Sequence, residues 1–223
     1  TKSEAQKAQQ PAESLCASKK TTLMIIEHLG KKPNIDQSAY IAPNATICGD
    51  VTIRKNARIM FGAQIIAESS PIEIGENCII LENAVIRGTQ NLPVKIGDNC
   101  LVGPNSHLAG CIIENNVFLA TGVSIFHGAI IKKGSEIRIN GVVHLNTLFP
   151  ENETLPIGWV AVGNPMKMFP PDKHDEIWEL QKELNFPNLV YGIQVRENLE
   201  DINRVLCEKM SKRLSEHKSD RIL

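Results

Sequence analysis

Branched aliphatic residues recur at every sixth position from Ile35, with Ile41, Ile47, Ile53, Ile59 and Ile65 following in step. A small residue stands four places after each, as at Ala39, Ala45, Val51, Ala57, Ala63 and Ser69. The pattern is interrupted at Ala67–Pro71, resumes at Ile74, Ile80 and Ile86, and is interrupted again at Thr89–Val94. It returns at Ile96, Val102 and Leu108. After a shortened step across Gly110–Ile112 it runs from Ile113 through Leu119, Ile125, Ile131 and Ile137 to Val143. A period of six sustained over roughly 110 residues predicts a hexapeptide-repeat parallel β-helix. Sandwich strands would alternate with a period of two, and they do not fit.

Each hexapeptide supplies one short flat face and one corner, and three hexapeptides close a triangular coil. The aliphatic side chain points into the prism and the small one packs at the inner corner. A single coil cannot bury its own face, so coils stack, and ladder hydrogen bonds between them satisfy the backbone. Insertions in such solenoids tend to gather on one face, often the binding face, which draws attention to the two interruptions.

Outside the repeat the pattern changes. Residues 1–20 are polar and aperiodic and read as a disordered leader. The β-helix domain is expected over 21–169, opening on a capping strand in TTLMIIEHLG with a turn at Gly30. A helical extension is expected over 170–223. Pro170-Pro171-Asp172 signals a helix start ahead of KHDEIWELQKEL. A second helix is expected over 198–217, with Leu199, Ile202, Leu206, Met210 and Leu214 on one stripe that docks on the prism or on a neighbouring subunit.

Composition narrows the function classes. Aromatics are 4% of 223 residues, which suits a core of stacked Ile, Val and Ala. With 24 basic against 25 acidic residues there is no electrostatic footprint for nucleic acid. No apolar run is long enough to span a bilayer, and TLMII at 22–26 is too short for a secretory segment, so no membrane partner is expected. The six cysteines form no C-x-x-C pair. Cys78 and Cys100 hold the small corner position, so packing explains them better than disulfides or metal, and a reducing, cytoplasmic setting is inferred.

The segments IGENCIILENAVIRGT, IGDNCLVGPNSHLAGCIIENNVFLATGVSIFHGAIIK and GWVAVGNPMK resemble the γ-class carbonic anhydrase-like family of hexapeptide-repeat proteins. The resemblance implies a mainly β fold, a left-handed parallel β-helix with C-terminal α-helices, assembled as a homotrimer. It also implies zinc or iron held between subunits by three histidines. Those three positions here carry Arg87, Pro104 and Ala109. The family's Arg-Gly-Asp segment falls on Ile66-Ala67-Glu68, and its hydroxide-positioning Gln falls on Leu81. Zinc-dependent hydration needs about three protein ligands and an open position. Arg repels the cation, and Pro and Ala cannot ligate it, so ordinary CO2 hydration is expected to be lost.

Three readings remain open. In the first, the metal has moved and His107, His127 and His144 ligate it, with Glu68, Glu82 and Asn105 as further ligand or base candidates. In the second, the chain is an acyl-CoA-dependent acyltransferase using His107 or His127 as general base. Gly163-Asn164-Pro165-Met166-Lys167 is similar to a turn that closes such β-helices, and Lys167 would then approach a coenzyme A phosphate. In the third, Arg87 replaces the metal as a receptor for a carboxylate or phosphate, or simply pairs with Glu68 or Glu82 across an interface. The expected site is therefore an inter-subunit small-molecule pocket with His107, His127 and Glu68 as catalytic candidates and Arg87, Asn105 and Lys167 as ligand contacts. The cofactor stays open between Zn2+ and coenzyme A.

Overall fold

The computed structural model describes residues 23–89, 92–194 and 199–223; the expected leader at 1–20 lies outside them. The chain forms a left-handed parallel β-helix of about eight turns, followed by short helices. The hexapeptide aliphatics are the reason. Ile47, Ile65, Ile86, Leu108, Ile125, Val143 and Ala161 are register partners in succession up the first face, and each is fully buried. A second row runs Ile53, Ile74, Ile96, Ile113, Ile131 and Phe149. A third runs Ile41, Ile59, Ile80, Val102, Leu119, Ile137 and Leu155. Burying each such side chain contributes about 1.5–3 kcal/mol, and three rows converge on one axis, so the prism core is continuous.

Corners follow a second rule that the aliphatic spacing alone did not disclose. Three places after most core aliphatics stands an Asn or Gly in the left-handed region, among them Asn56, Asn77, Asn83, Asn99, Asn105, Asn116, Asn140, Asn146 and Asn152, with φ between 52° and 59°. Asn tolerates this conformation because its short side chain hydrogen-bonds locally; β-branched residues do not.

The first interruption is built into the longest strand, Gln64–Ile74. It pairs Gly49 with Ala67 and then Val51 with Ile72, so residues 68–71 bulge at the corner between two faces. The bulge is tightly cradled: a Cβ on Gly88 would lie 2.2 Å from the Ser70 carbonyl oxygen. At the second interruption Thr89 and Leu92 form an antiparallel bridge, the Leu92 N–H donating to the Thr89 carbonyl at 2.9 Å. Gly110, at φ 52°, sits beneath it, where a Cβ would meet Leu92 Cβ at 2.8 Å and His127 Cδ2 at 3.1 Å. This packing explains the shortened hexapeptide step at that point.

The strand Lys167–Phe169 folds back antiparallel on Val160–Val162 and closes the last coil. Beyond it lie α1 (His174–Gln181), α2 (Phe186–Tyr191) and α3 (Leu199–Leu214). Of the expected stripe, Ile202 is buried, Leu206 and Met210 are half-buried, and Leu214 is exposed; the side chain of Leu199 lies outside the described residues. After α3 a 3-10 turn, Ser215–Ser219, leads to the strand Arg221–Ile222, which pairs antiparallel with Met24–Glu27. The C-terminal segment thus returns to the first coil. Nothing in its polar sequence signals that return.

Candidate functional site

The corner bulge places Glu68 where the first face ends, and its side chain is only 2% exposed. A carboxylate taken this far from water needs positive partners. Arg87, from the strand Val85–Gly88 one coil on, donates from Nη2 to Glu68 Oε1 at 2.5 Å. Arg213, from the last turn of α3, brings its Nη2 to 2.9 Å from Oε2. Two guanidiniums on one acid leave a net positive charge. Arg87 and Arg213 keep 33% and 21% of their side-chain surface exposed, so the excess charge faces an accessible surface.

Two histidines stand in the same field. His107, on the strand His107–Ala109, is register partner of Val85, two residues from Arg87. Its pKa is lowered by burial and by the Arg87 charge. His127 is 8% exposed and shares a 3.1 Å hydrogen bond between Nε2 and Thr89 Oγ1. Burial first, then His107, Arg87 and Arg213, push its pKa down to about 4. Both imidazoles are therefore neutral at pH 7. Three buried nitrogens here have no hydrogen-bond partner: Arg87 Nε, Arg213 Nε and His127 Nδ1. Glu68 Oε2 likewise has no hydrogen bond and is held by the Arg213 ion pair alone, so two guanidiniums face one carboxylate and the excess positive charge suits an anion.

The structure brings together Glu68, Arg87, His107 and His127, and adds Arg213 and Thr89, which sequence reasoning missed. Thr89 lies inside the second interruption and was within reach of that signal; Arg213 was not, because its place depends on where α3 docks. The other expected residues stand apart within one chain. Asn105 is an exposed corner residue at φ 57°, its backbone N–H donating to the Glu82 carbonyl. His144 packs on Phe126, ring centroids 5.7 Å apart, and its pKa is lowered by burial. Lys167 is exposed on the closing hairpin, paired with Val162. That position is five rows above Arg87, about 24 Å at the usual strand spacing.

The residues at the family's metal positions do not fit a metal. Arg87 is a cation already committed to Glu68. Pro104 and Ala109 carry no donor atom, and Ala109 is the register partner of Arg87, so two of the three sites lie side by side on one face. Pro104 instead lines an apolar depression of about 390 Å³ with Leu81, Leu101, Phe118, Ile139 and Ile157.

Comparison with known proteins places these features. A family profile for bacterial transferase hexapeptide repeats (six repeats) matches residues 93–127. A mitochondrial γ carbonic anhydrase 1 of Arabidopsis thaliana is 28% identical over 200 residues, covering 86% of this chain and 70% of that protein. A carbonic anhydrase of Geobacillus kaustophilus is 30% identical over 159 residues, covering 71% of this chain and 84% of the relative. Among solved structures, a hexapeptide transferase family protein from Anaplasma phagocytophilum aligns with a TM-score of 0.50 at 25% identity, covering 84% of this chain and 98% of that one. A UDP-N-acetylglucosamine acyltransferase of Francisella novicida, at 18% identity and a TM-score of 0.52, shares the fold. With its hexapeptide coils and the 30% identity to the Geobacillus carbonic anhydrase over 71% of its length, the chain belongs to the γ-carbonic anhydrase-like family of hexapeptide-repeat proteins.

Proposed function

We propose that this chain is a homotrimeric γ-carbonic anhydrase-like protein whose inter-subunit site has given up metal-dependent CO2 hydration and binds a small carboxylate or phosphate instead. The observation that carries the reading is the Arg87–Glu68–Arg213 cluster, in which two guanidiniums share one buried acid at the position of a metal ligand. A planar guanidinium presents paired donors that match the two oxygens of a carboxylate or phosphate, and it stays charged at any physiological pH. The neutral imidazole of His127 adds a donor through Nδ1 in the tautomer that accepts from Thr89 at Nε2. The apolar depression beside Pro104, with Phe118 and Ile139 exposed along its rim, supplies the surface a neighbouring subunit would cover.

Acyl transfer is less well supported. A general base works best with a pKa near the operating pH, whereas burial and the flanking positive charges hold His127 at about 4. The test is calorimetry with inorganic phosphate and with small dicarboxylates, paired with light scattering for the oligomeric state. Saturable binding that Arg87→Ala removes and His107→Ala retains supports the reading. CO2 hydration that rises when zinc is supplied, or absence of any anion binding in a verified trimer, overturns it.

A further inference from the structure

A second cluster of side chains lies where the two ends of the described chain meet, and the interface site does not use it. His28 follows the first strand, Cys48 sits on the strand Thr46–Ile53, and His217 and Asp220 come from the turn after α3. Their donor atoms all lie within 4.8 Å of one another, a closeness that His107, His127 and His144 do not reach within one chain among the described residues. Asp220 is the hub. Its Oδ1 is 2.6 Å from His28 Nδ1, and its Oδ2 is 2.7 Å from His217 Nδ1 and 3.8 Å from Cys48 Sγ. The two imidazoles stack with centroids 4.3 Å apart and an interplanar angle of 22°, so both Nδ1 atoms face the same point.

The hydrogen-bond inventory around His28 is specific. It is 2% exposed, and its Nε2 is 3.1 Å from the Glu68 carbonyl oxygen, an acceptor only, so Nε2 carries the proton. Nδ1 then faces a carboxylate oxygen of Asp220, a contact that either a second ring proton or a bound metal ion bridges. A ring nitrogen held by a backbone carbonyl on its far side is the usual orientation of a metal-bound histidine. Two imidazoles, one thiol and one carboxylate are a donor set suited to Zn2+, which takes such groups at about 2.0–2.3 Å in a tetrahedron, with donors roughly 3.3–3.7 Å apart. The observed separations straddle that range, so small side-chain rotations suffice.

We propose that His28, Cys48, His217 and Asp220 form a structural Zn2+ site that fastens the C-terminal segment to the first coil. Four protein ligands leave no open position, so the ion acts as a clasp and not as a hydration catalyst. The clasp has a consequence for the interface site. His217 is one turn beyond Arg213, and His28 holds the backbone carbonyl of Glu68, so the ion fixes both partners of the Arg213–Glu68 pair from behind. It stands independently of the anion reading, since it uses none of those side chains.

The experiment is elemental analysis of the full chain after gel filtration in metal-free buffer, followed by replacement with Co2+. The expected result is about one zinc per chain. The cobalt protein should show the intense visible bands of tetrahedral coordination and a thiolate-to-metal charge-transfer band. Cys48→Ser should abolish the charge-transfer band. Asp220→Asn and His217→Ala should weaken zinc binding at least about tenfold, while His107→Ala and His127→Ala leave it unchanged. Because the cobalt spectrum is read on the unmutated protein, a variant that fails to fold does not blunt the test. A wild-type protein that takes up less than about a tenth of an equivalent at micromolar zinc overturns the proposal, as does tetrahedral cobalt without thiolate charge transfer.

Discussion

Arg213 Nη2 rests 2.9 Å from Glu68 Oε2, joining the last turn of α3 to a bulge in the early coils of the prism. The contact makes the C-terminal helix part of the candidate site. Without it, Glu68 would have a single guanidinium, and the cluster would lose the charge excess that favours an anion.

Replacing the acid should therefore be more damaging than replacing either base. Glu68→Gln leaves Arg87 and Arg213 facing each other without a counter-charge, and breaking a buried pair in this way costs about 3–5 kcal/mol. Since both arginines remain partly exposed, the lower end is expected. Arg213→Ala, which leaves Glu68 paired with Arg87, should cost clearly less. Denaturant unfolding of the three proteins checks the order; equal losses for Glu68→Gln and Arg213→Ala would show that the cluster is not electrostatically coupled.

Core rows and surface aliphatics should separate cleanly. Leu108 is fully buried between Ile86 and Ile125, so Leu108→Ala is expected to cost about 2–5 kcal/mol through lost transfer energy and a residual cavity. Ile157 is 66% exposed at the rim of the apolar depression. Ile157→Ala should leave the stability of an isolated chain within about 0.5 kcal/mol, but weaken self-association if that rim is a subunit contact. Unfolding and sedimentation on the same samples read the two effects separately.

These contrasts also show what the sequence made legible. The six-residue period exposed the coils, because an inward row of Ile and Val is a local property repeated many times. The three-residue offset to Asn105, Asn116 and Asn140 is equally visible in the sequence, yet Asn105 reads there as a ligand contact. A polar residue on a solenoid is ambiguous until its φ is known. Arg87 is legible as a partner of Glu68 or Glu82 across an interface; the bulge at residues 68–71 instead brings Glu68 to Arg87 within one chain. Arg213, His217 and Asp220 could not be placed. Their position depends on where α3 docks and on the two-residue strand Arg221–Ile222; the stripe on α3 signals a helix but not the surface it meets, and the strand is too short to carry a period.

Corner chemistry supports a direct substitution test. Asn116 adopts φ 59° and donates its backbone N–H to the Asp98 carbonyl. Asn116→Gly should be close to neutral, because glycine reaches the left-handed region freely but loses more entropy on folding. Asn116→Ala should cost about 1–2 kcal/mol, and Asn116→Val more. Thermal unfolding of the three variants gives the ranking, and an Ala variant as stable as the Gly variant would mean that the corner relaxes out of the left-handed conformation.

Protonation of the buried histidines should set an acid limit on stability. His127 is held at about 4 when folded, against an ordinary value of 6.5, by burial and by the charges of His107, Arg87 and Arg213. The unfolded chain therefore binds more protons than the folded one at pH between these values. Its contribution is fully present above pH 6.5 and is lost progressively as pH falls through about 4. His107 and His144, also lowered by burial, act in the same direction. Unfolding free energy measured across this window should fall with decreasing pH, and His127→Gln should flatten the slope by up to about one proton. Raised salt should shrink the part due to Arg87 and Arg213 and leave the burial part, since only the former is screened. An unchanged slope in His127→Gln would place the responsible group elsewhere in the fold. A slope that persists in His127→Gln but vanishes in His107→Ala would move the assignment to the imidazole nearer Arg87.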